Sequence, residues 1–189
     1  MSGARLRIGV LGGTFDPPHC GHLGVVRVAL ESGRVDEVWL VPCLRHAFGK
    51  QPAPFRHRLA MCRLLVGDEP RARVSDLEAE LDRPGRTLEL VRLLAKRHPG
   101  IELRLLAGSD IYHEREKWDR YDEIASLAPP LYVERRGVDS IPEPVLEAPP
   151  RVSSTELRRL LAEGRRPLEL APAAVLDYAL DNGLYGGET

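Results

Sequence analysis

The chain has 189 residues, 43% hydrophobic and 29% charged, with a formal net charge of −1. That length fits one domain with one sizeable core, and the balanced charge excludes a global basic field of the kind that grips nucleic acid. No apolar run approaches the roughly 18 residues of a membrane span, the N-terminal MSGARLRIGVLGG lacks the features of a secretory signal, and three cysteines without a CxxC pair point to a reduced, cytoplasmic protein.

In chain order, residues 6–11 (LRIGVL) read as a strand ending in Gly12-Gly13. Residues 22–32 suit a helix stopped by Gly33, and 37–41 (EVWLV) a second strand ended by Pro42. Residues 43–54 are irregular, and 55–66 carry apolar residues at helical spacing. A short strand is expected at 72–75, followed by a polar stretch with a Pro-Gly turn at 76–86. Residues 87–97 form an amphipathic helix with Thr87 at its start, and 101–107 a strand running into Gly108-Ser109-Asp110. A short helix is expected at 119–126, with strands at 131–134 and 145–147. The last two helices are 153–163, opened by the capping box of Ser153 with Glu156, and 172–182, between Pro172 and Gly183. Strand and helix alternate at least four times, which predicts an α/β fold: a Rossmann-like, doubly wound parallel sheet with helices on both faces, in a single domain over 1–189. Ligands of such sheets sit beyond the carboxyl ends of the strands, so functional residues are expected at 12–22, 42–50, 108–118 and 135–137.

The segment Gly12-Gly13-Thr14-Phe15-Asp16-Pro17-Pro18-His19-Cys20-Gly21-His22 is neither a GxGxxG loop nor a Walker loop. It nevertheless combines glycines that admit close approach, a hydroxyl at Thr14 and a helix N-terminus, all suited to phosphate. His19 and His22, three positions apart, can share one face of the opening turn and donate to phosphate oxygens. On this motif alone, a glycine turn with incidental histidines stays open, as does a zinc pair, although zinc lacks a clear partner set elsewhere. Near the other end, Ser153-Ser154-Thr155 and Arg158 combine hydroxyls, free N–H groups and a guanidinium into a second polyphosphate cradle. The pairs Arg135–Arg136, Arg158–Arg159 and Arg165–Arg166 are further candidates for a small polyanion.

GGTFDPPHCGHL resembles the HxGH signature of the nucleotidylyltransferase superfamily, and its longer form is similar to that of bacterial nicotinate mononucleotide adenylyltransferases. Val152-Ser153-Ser154-Thr155-Glu156-Leu157-Arg158 resembles the superfamily's second element, and Arg58-Leu59-Ala60-Met61, Gly108-Ser109-Asp110 and residues 175–185 (VLDYALDNGLY) extend the likeness over nearly the whole chain. The resemblance implies transfer of AMP from ATP, with Mg²⁺, to nicotinate mononucleotide, giving deamido-NAD and pyrophosphate. It assigns His19 and His22 to catalysis, and Gly12, Gly13, Thr14, Phe15, Gly108, Asp110, Ser153, Ser154, Thr155 and Arg158 to ATP. It matches His46, Lys50, Thr87 and Trp118 to the acceptor side, with Trp118 stacking on the pyridine and Thr87 receiving its carboxylate. Arg86, which departs from the family pattern, is a further acceptor-side candidate beside Thr87. No dedicated protein metal site, nucleic acid or membrane is implied; a homo-oligomer stays open. Tyr178 and Tyr185 read as core packing. Two departures concern the acceptor side: Arg45-His46-Ala47-Phe48-Gly49-Lys50 stands where the family has PPHK, and Gly85-Arg86 where it has Ser-Tyr. The alternatives are a sister transferase acting on nicotinamide mononucleotide, phosphopantetheine or another phosphorylated acceptor, and a non-catalytic nucleotide sensor.

Overall fold

Six parallel strands form one sheet in the order β3-β2-β1-β4-β5-β6. They are β1 (Leu6–Gly13), β2 (Glu37–Pro42), β3 (Ala72–Val74), β4 (Ile101–Gly108), β5 (Pro130–Val133) and β6 (Val145–Leu146). The computed structural model describes residues 5–45, 51–83, 86–135, 137–147, 149 and 151–186. The strand order reverses between β1 and β4, which pair in parallel with Val10 opposite Leu105. At such a reversal the flanking connections leave in opposite directions, so a crevice opens beyond the strand ends.

The strands alternate their side chains between two cores. Leu11, Leu40 and Leu106 point into one, and their neighbours Val10, Val41 and Leu105 into the other. The first core is closed by α1 (Cys20–Glu31), α2 (Phe55–Val66), α6 (Ser154–Ala162) and α7 (Ala173–Asp181), through side chains such as Val26, Met61, Leu157 and Leu176. The second is closed by α3 (Thr87–Arg97) and α5 (Tyr121–Leu127), through Leu90, Leu94 and Ile124. Near-continuous apolar strands follow from burial on both faces.

Among the described residues the expected strands and helices are present, with boundaries within about two residues, and short helical turns are added. The Pro-Gly turn at 84–85 lies outside the described residues. A six-residue helix, α4 (Ser109–Glu114), follows β4 directly and continues into a 3-10 turn over Arg115–Lys117. The polar 76–86 stretch contains a 3-10 turn over Leu77–Glu80, whose Leu77 and Glu78 are buried.

Candidate active site

The β1–α1 connection builds the centre of the site. Phe15 adopts a left-handed conformation with φ 51°, unusual for an aromatic residue, and its ring is buried in the first core. Gly13 faces that ring: a Cβ there would lie 3.2 Å from it. The chain then enters α1 with His19 as its N-cap in extended conformation. The spacing His19-x-x-His22 is therefore a capping spacing, from N-cap to N3. The His19 backbone N–H donates to His22 Nδ1 at 3.2 Å. A neutral imidazole that accepts at Nδ1 carries its proton on Nε2, so His22 presents a donor. The two rings stack with centroids 3.8 Å apart, and Phe15 lies 4.8 Å from the His22 ring.

Burial pushes the His19 imidazole down to about 4, from an ordinary 6.5. His22 is held well below its ordinary value, first by burial and then by the neighbouring His19. Both rings are thus neutral at pH 7. His19 Nδ1 is buried without a hydrogen-bond partner among the described residues, although His19 itself lines the larger cavity.

The N-terminus of α6 closes against this loop. Ser153 caps the helix by accepting from the Glu156 N–H at 3.1 Å, and Ser154 Oγ donates to the Pro17 carbonyl at 3.0 Å. Arg158 donates to the Asp16 carbonyl at 2.6 Å and to Thr155 Oγ1 at 3.2 Å. A cavity of about 1020 Å³ opens here, lined by Thr14, His19, His22, Ser153, Ser154, Thr155 and Arg158. A smaller one, about 350 Å³, lies beside it and contains Gly12, Gly13, Thr87, Asp110 and Trp118. Thr14, Gly108 and Arg135 line both, so the cavities meet at the β1/β4 reversal.

The structure sorts the expected residues more finely than the motifs do. Gly12, Gly13 and Asp110, expected with ATP, line the smaller cavity. A Cβ on Gly12 would meet nothing within 4 Å, so protein packing does not demand the glycine; the space is open to a ligand. Gly108 differs, because a Cβ there would collide with Asp110 Oδ1. Asp110 Oδ2 is paired with Arg135 at 2.6 Å, and its Oδ1 is buried without a partner. Phe15 contributes a buried ring rather than cavity wall. Ser154 spends its proton on Pro17, which makes it a tie between α6 and the loop. Arg86 is exposed and lies 3.7 Å from Asp119, outside the residues that line either cavity. His46 and Lys50 lie outside the described residues. Of the remaining basic pairs, Arg159 and Arg165 face Glu163, and Arg166 faces Asp177, as solvated surface.

Two residues that lie within the motifs above, but have no site role of their own there, organise the walls. Arg58 is buried, and its guanidinium donates to the carbonyls of Ala53, Thr14, Cys43 and Leu44 at 2.7–3.3 Å. It thereby ties together three segments that wall the cavities. Asp16 Oδ1 accepts from the Ala53 N–H at 3.0 Å and from the Tyr185 hydroxyl at 2.8 Å. Tyr185 packs against the first core as expected, but it also lines the larger cavity. Tyr178 likewise packs there while its hydroxyl meets His57 Nδ1 at 3.0 Å. Among the described residues no group of three or more His, Cys, Asp or Glu is placed to hold a metal, and no helix is long and apolar enough to cross a membrane.

A parallel sheet reversing at β1/β4, with paired histidines at one helix start and a Ser-Thr-Arg helix start against them, defines a class. The chain belongs to the cytidylyltransferase-like family, whose model matches residues 10–160. Two full-length relatives carry the name "Probable nicotinate-nucleotide adenylyltransferase". That of Anaeromyxobacter sp. (strain K) is 43% identical over 191 residues, 99% of this chain and 100% of its own. That of Myxococcus xanthus (strain DK1622) is 40% identical over 184 residues, 96% of this chain and 95% of its own. Within the broader family, the chain groups with these nicotinate-nucleotide adenylyltransferases. Its fold matches a Plasmodium falciparum nicotinic acid mononucleotide adenylyltransferase complexed with NaAD, with a TM-score of 0.82 at 21% identity, over 95% of this chain and 97% of that one.

Proposed function

We propose that this chain transfers AMP from ATP to nicotinate mononucleotide, forming deamido-NAD and releasing pyrophosphate. The observation that carries the reading is the meeting of two unlike cavities at Thr14, Gly108 and Arg135. The larger, with its histidines and the start of α6, suits a triphosphate. The smaller, with an indole and a helix start, suits an acidic pyridine ring.

An acceptor phosphate oxygen at the seam attacks the α-phosphorus of ATP, and the bond from that phosphorus to the bridging oxygen of pyrophosphate breaks. The acceptor is already an anion, so no strong base or covalent nucleophile is needed. Catalysis comes from alignment and from donors aimed where charge develops. His22 supplies its Nε2–H, oriented by the bond from the His19 backbone. His19 and Arg158 complete the anion-binding wall, and Thr14 adds a hydroxyl at the seam. Mg²⁺ enters with ATP as part of the substrate, held through phosphate oxygens and water. The carboxylates of Asp16 and Asp110 are already engaged by Tyr185 and Arg135 respectively.

In the smaller cavity, Trp118 offers an apolar face for ring stacking. Thr87 is the first residue of α3, so the unpaired N–H groups of that turn and its hydroxyl can receive a carboxylate. The free thiols Cys20, Cys43 and Cys62 fit a cytoplasmic setting. The proposal includes a single domain over 1–189. The test is to incubate the protein with ATP, Mg²⁺ and a panel of phosphorylated acceptors while following pyrophosphate release. Release is expected with nicotinate mononucleotide; turnover with phosphopantetheine in its place refutes the assignment of the smaller cavity.

A further inference from the structure

Asp16 is an acid in the wall of a cavity built for anions, and its contacts span the chain. Its Oδ1 takes two donors, the Ala53 N–H and the Tyr185 hydroxyl, the latter from 169 positions away. Its carbonyl holds Arg158 Nη1 at 2.6 Å, while its Oδ2 stands 3.7 Å from the same nitrogen. Arg158 is therefore bound closely by a neutral carbonyl and only loosely by the carboxylate. Tyr185 also holds a left-handed backbone conformation with φ 65°, which a bulky residue rarely adopts unless its surroundings over-determine it. Its phenol stays protonated: burial, then the negative charge of Asp16 and the hydrogen bond to it, all push it up.

We propose that Tyr185 is a positioning residue for the nucleotide side of the reaction: by pinning Asp16 Oδ1 to the cavity wall, it keeps that carboxylate from closing on Arg158 and so leaves the guanidinium available to the triphosphate. The physical reason is competition. A carboxylate with both oxygens free makes a bidentate pair with arginine, and an arginine so paired binds phosphate less well. Two donors on Oδ1 fix the plane of the carboxylate and withdraw one oxygen from that pairing. Asp16 and Tyr185 line the larger cavity and are not among the residues lining the smaller one, so the effect is confined to ATP. The inference rests on Arg158 binding the polyphosphate.

The test compares wild type, Tyr185→Phe, Arg158→Ala and the double variant by steady-state kinetics with each substrate varied in turn. Phe keeps the ring and removes only the hydroxyl. The expected result is a KM for ATP raised about threefold to tenfold in Tyr185→Phe, the scale of one ordinary hydrogen bond. The KM for the acceptor stays unchanged, and the effect on ATP disappears in the Arg158→Ala background. A merely structural tyrosine would raise both KM values or act equally in both backgrounds, and either result overturns the inference. A second variant, Asp16→Asn, keeps an acceptor for Tyr185 and Ala53 but removes the competing charge. It is expected to lower the KM for ATP, and a raised KM there counts against the competition. An Arg158→Ala enzyme with unchanged KM for ATP overturns the assignment of Arg158 itself. If that assignment holds while Tyr185→Phe leaves ATP untouched, only the positioning role of Tyr185 fails.

Discussion

The stacked histidines make a prediction about acid sensitivity that can be worked through. His19 is held at about 4 when folded, against an ordinary 6.5. A depressed folded value means that the stability it contributes is complete above pH 6.5 and is lost as pH falls towards 4. At pH 5 an unfolded chain carries this proton on most molecules and the folded chain on few. By linkage, lowering the pH from 7.5 to 5 removes about 2 kcal/mol through His19 alone. His22, also depressed, acts in the same direction. For a chain of this size, about 2 kcal/mol corresponds to a fall in Tm of about 4–8 °C. The assay is thermal unfolding of the ligand-free protein across that pH range, for wild type and His19→Asn. Asparagine is a good N-cap and does not titrate there, so the variant keeps the helix start. Its Tm should fall less on acidification, by about the same 4–8 °C. Parallel Tm curves for the two proteins would show that His19 is not held neutral by the fold. A bound polyanion favours the protonated rings, so affinity for ATP should rise as pH falls through their bound-state values.

Replacing His22 with alanine removes one preorganised donor and should lower kcat by about 10²–10³ while the protein stays folded, as checked by circular dichroism and steady-state kinetics. Trp118→Ala should raise the KM of the acceptor and leave that of ATP unchanged, because Trp118 lines the smaller cavity alone. Thr87→Val should reduce the preference for nicotinate over nicotinamide mononucleotide in kcat/KM by several-fold, the scale of a partly buried charge at a helix start. Arg58→Met leaves buried carbonyls of Thr14, Cys43 and Ala53 without their donor, and should cost about 3 kcal/mol or more in urea unfolding.

Much of the fold was legible because its signals are local. Helices α2 and α3 match their apolar spacing residue for residue, and α6 begins where Ser153 can cap it. Helix α4 was not legible: six residues complete fewer than two turns, too few for periodicity to show. The histidine pair was legible as a motif, but its chemistry was not. Only the backbone geometry at His19 shows that His22 accepts at Nδ1 and so donates from Nε2.

The sequence by itself determined the order of strands and helices and the histidine and Ser-Thr-Arg helix starts, because each rests on a few neighbouring residues whose spacing is their signal. Trp118 and Thr87 were marked for the acceptor by family resemblance and not by any local pattern. Only the tertiary structure decided which residues share a cavity. Gly12, Gly13 and Asp110 moved to the smaller one, Arg86 to its outside, and Tyr185 from plain packing to the wall facing Asp16. Those outcomes depend on hydrogen bonds between residues far apart in the chain, such as Arg58 with Thr14 and Tyr185 with Asp16. A polar group buried by folding must find its partner wherever the packed chain presents one, and no local pattern records where that is.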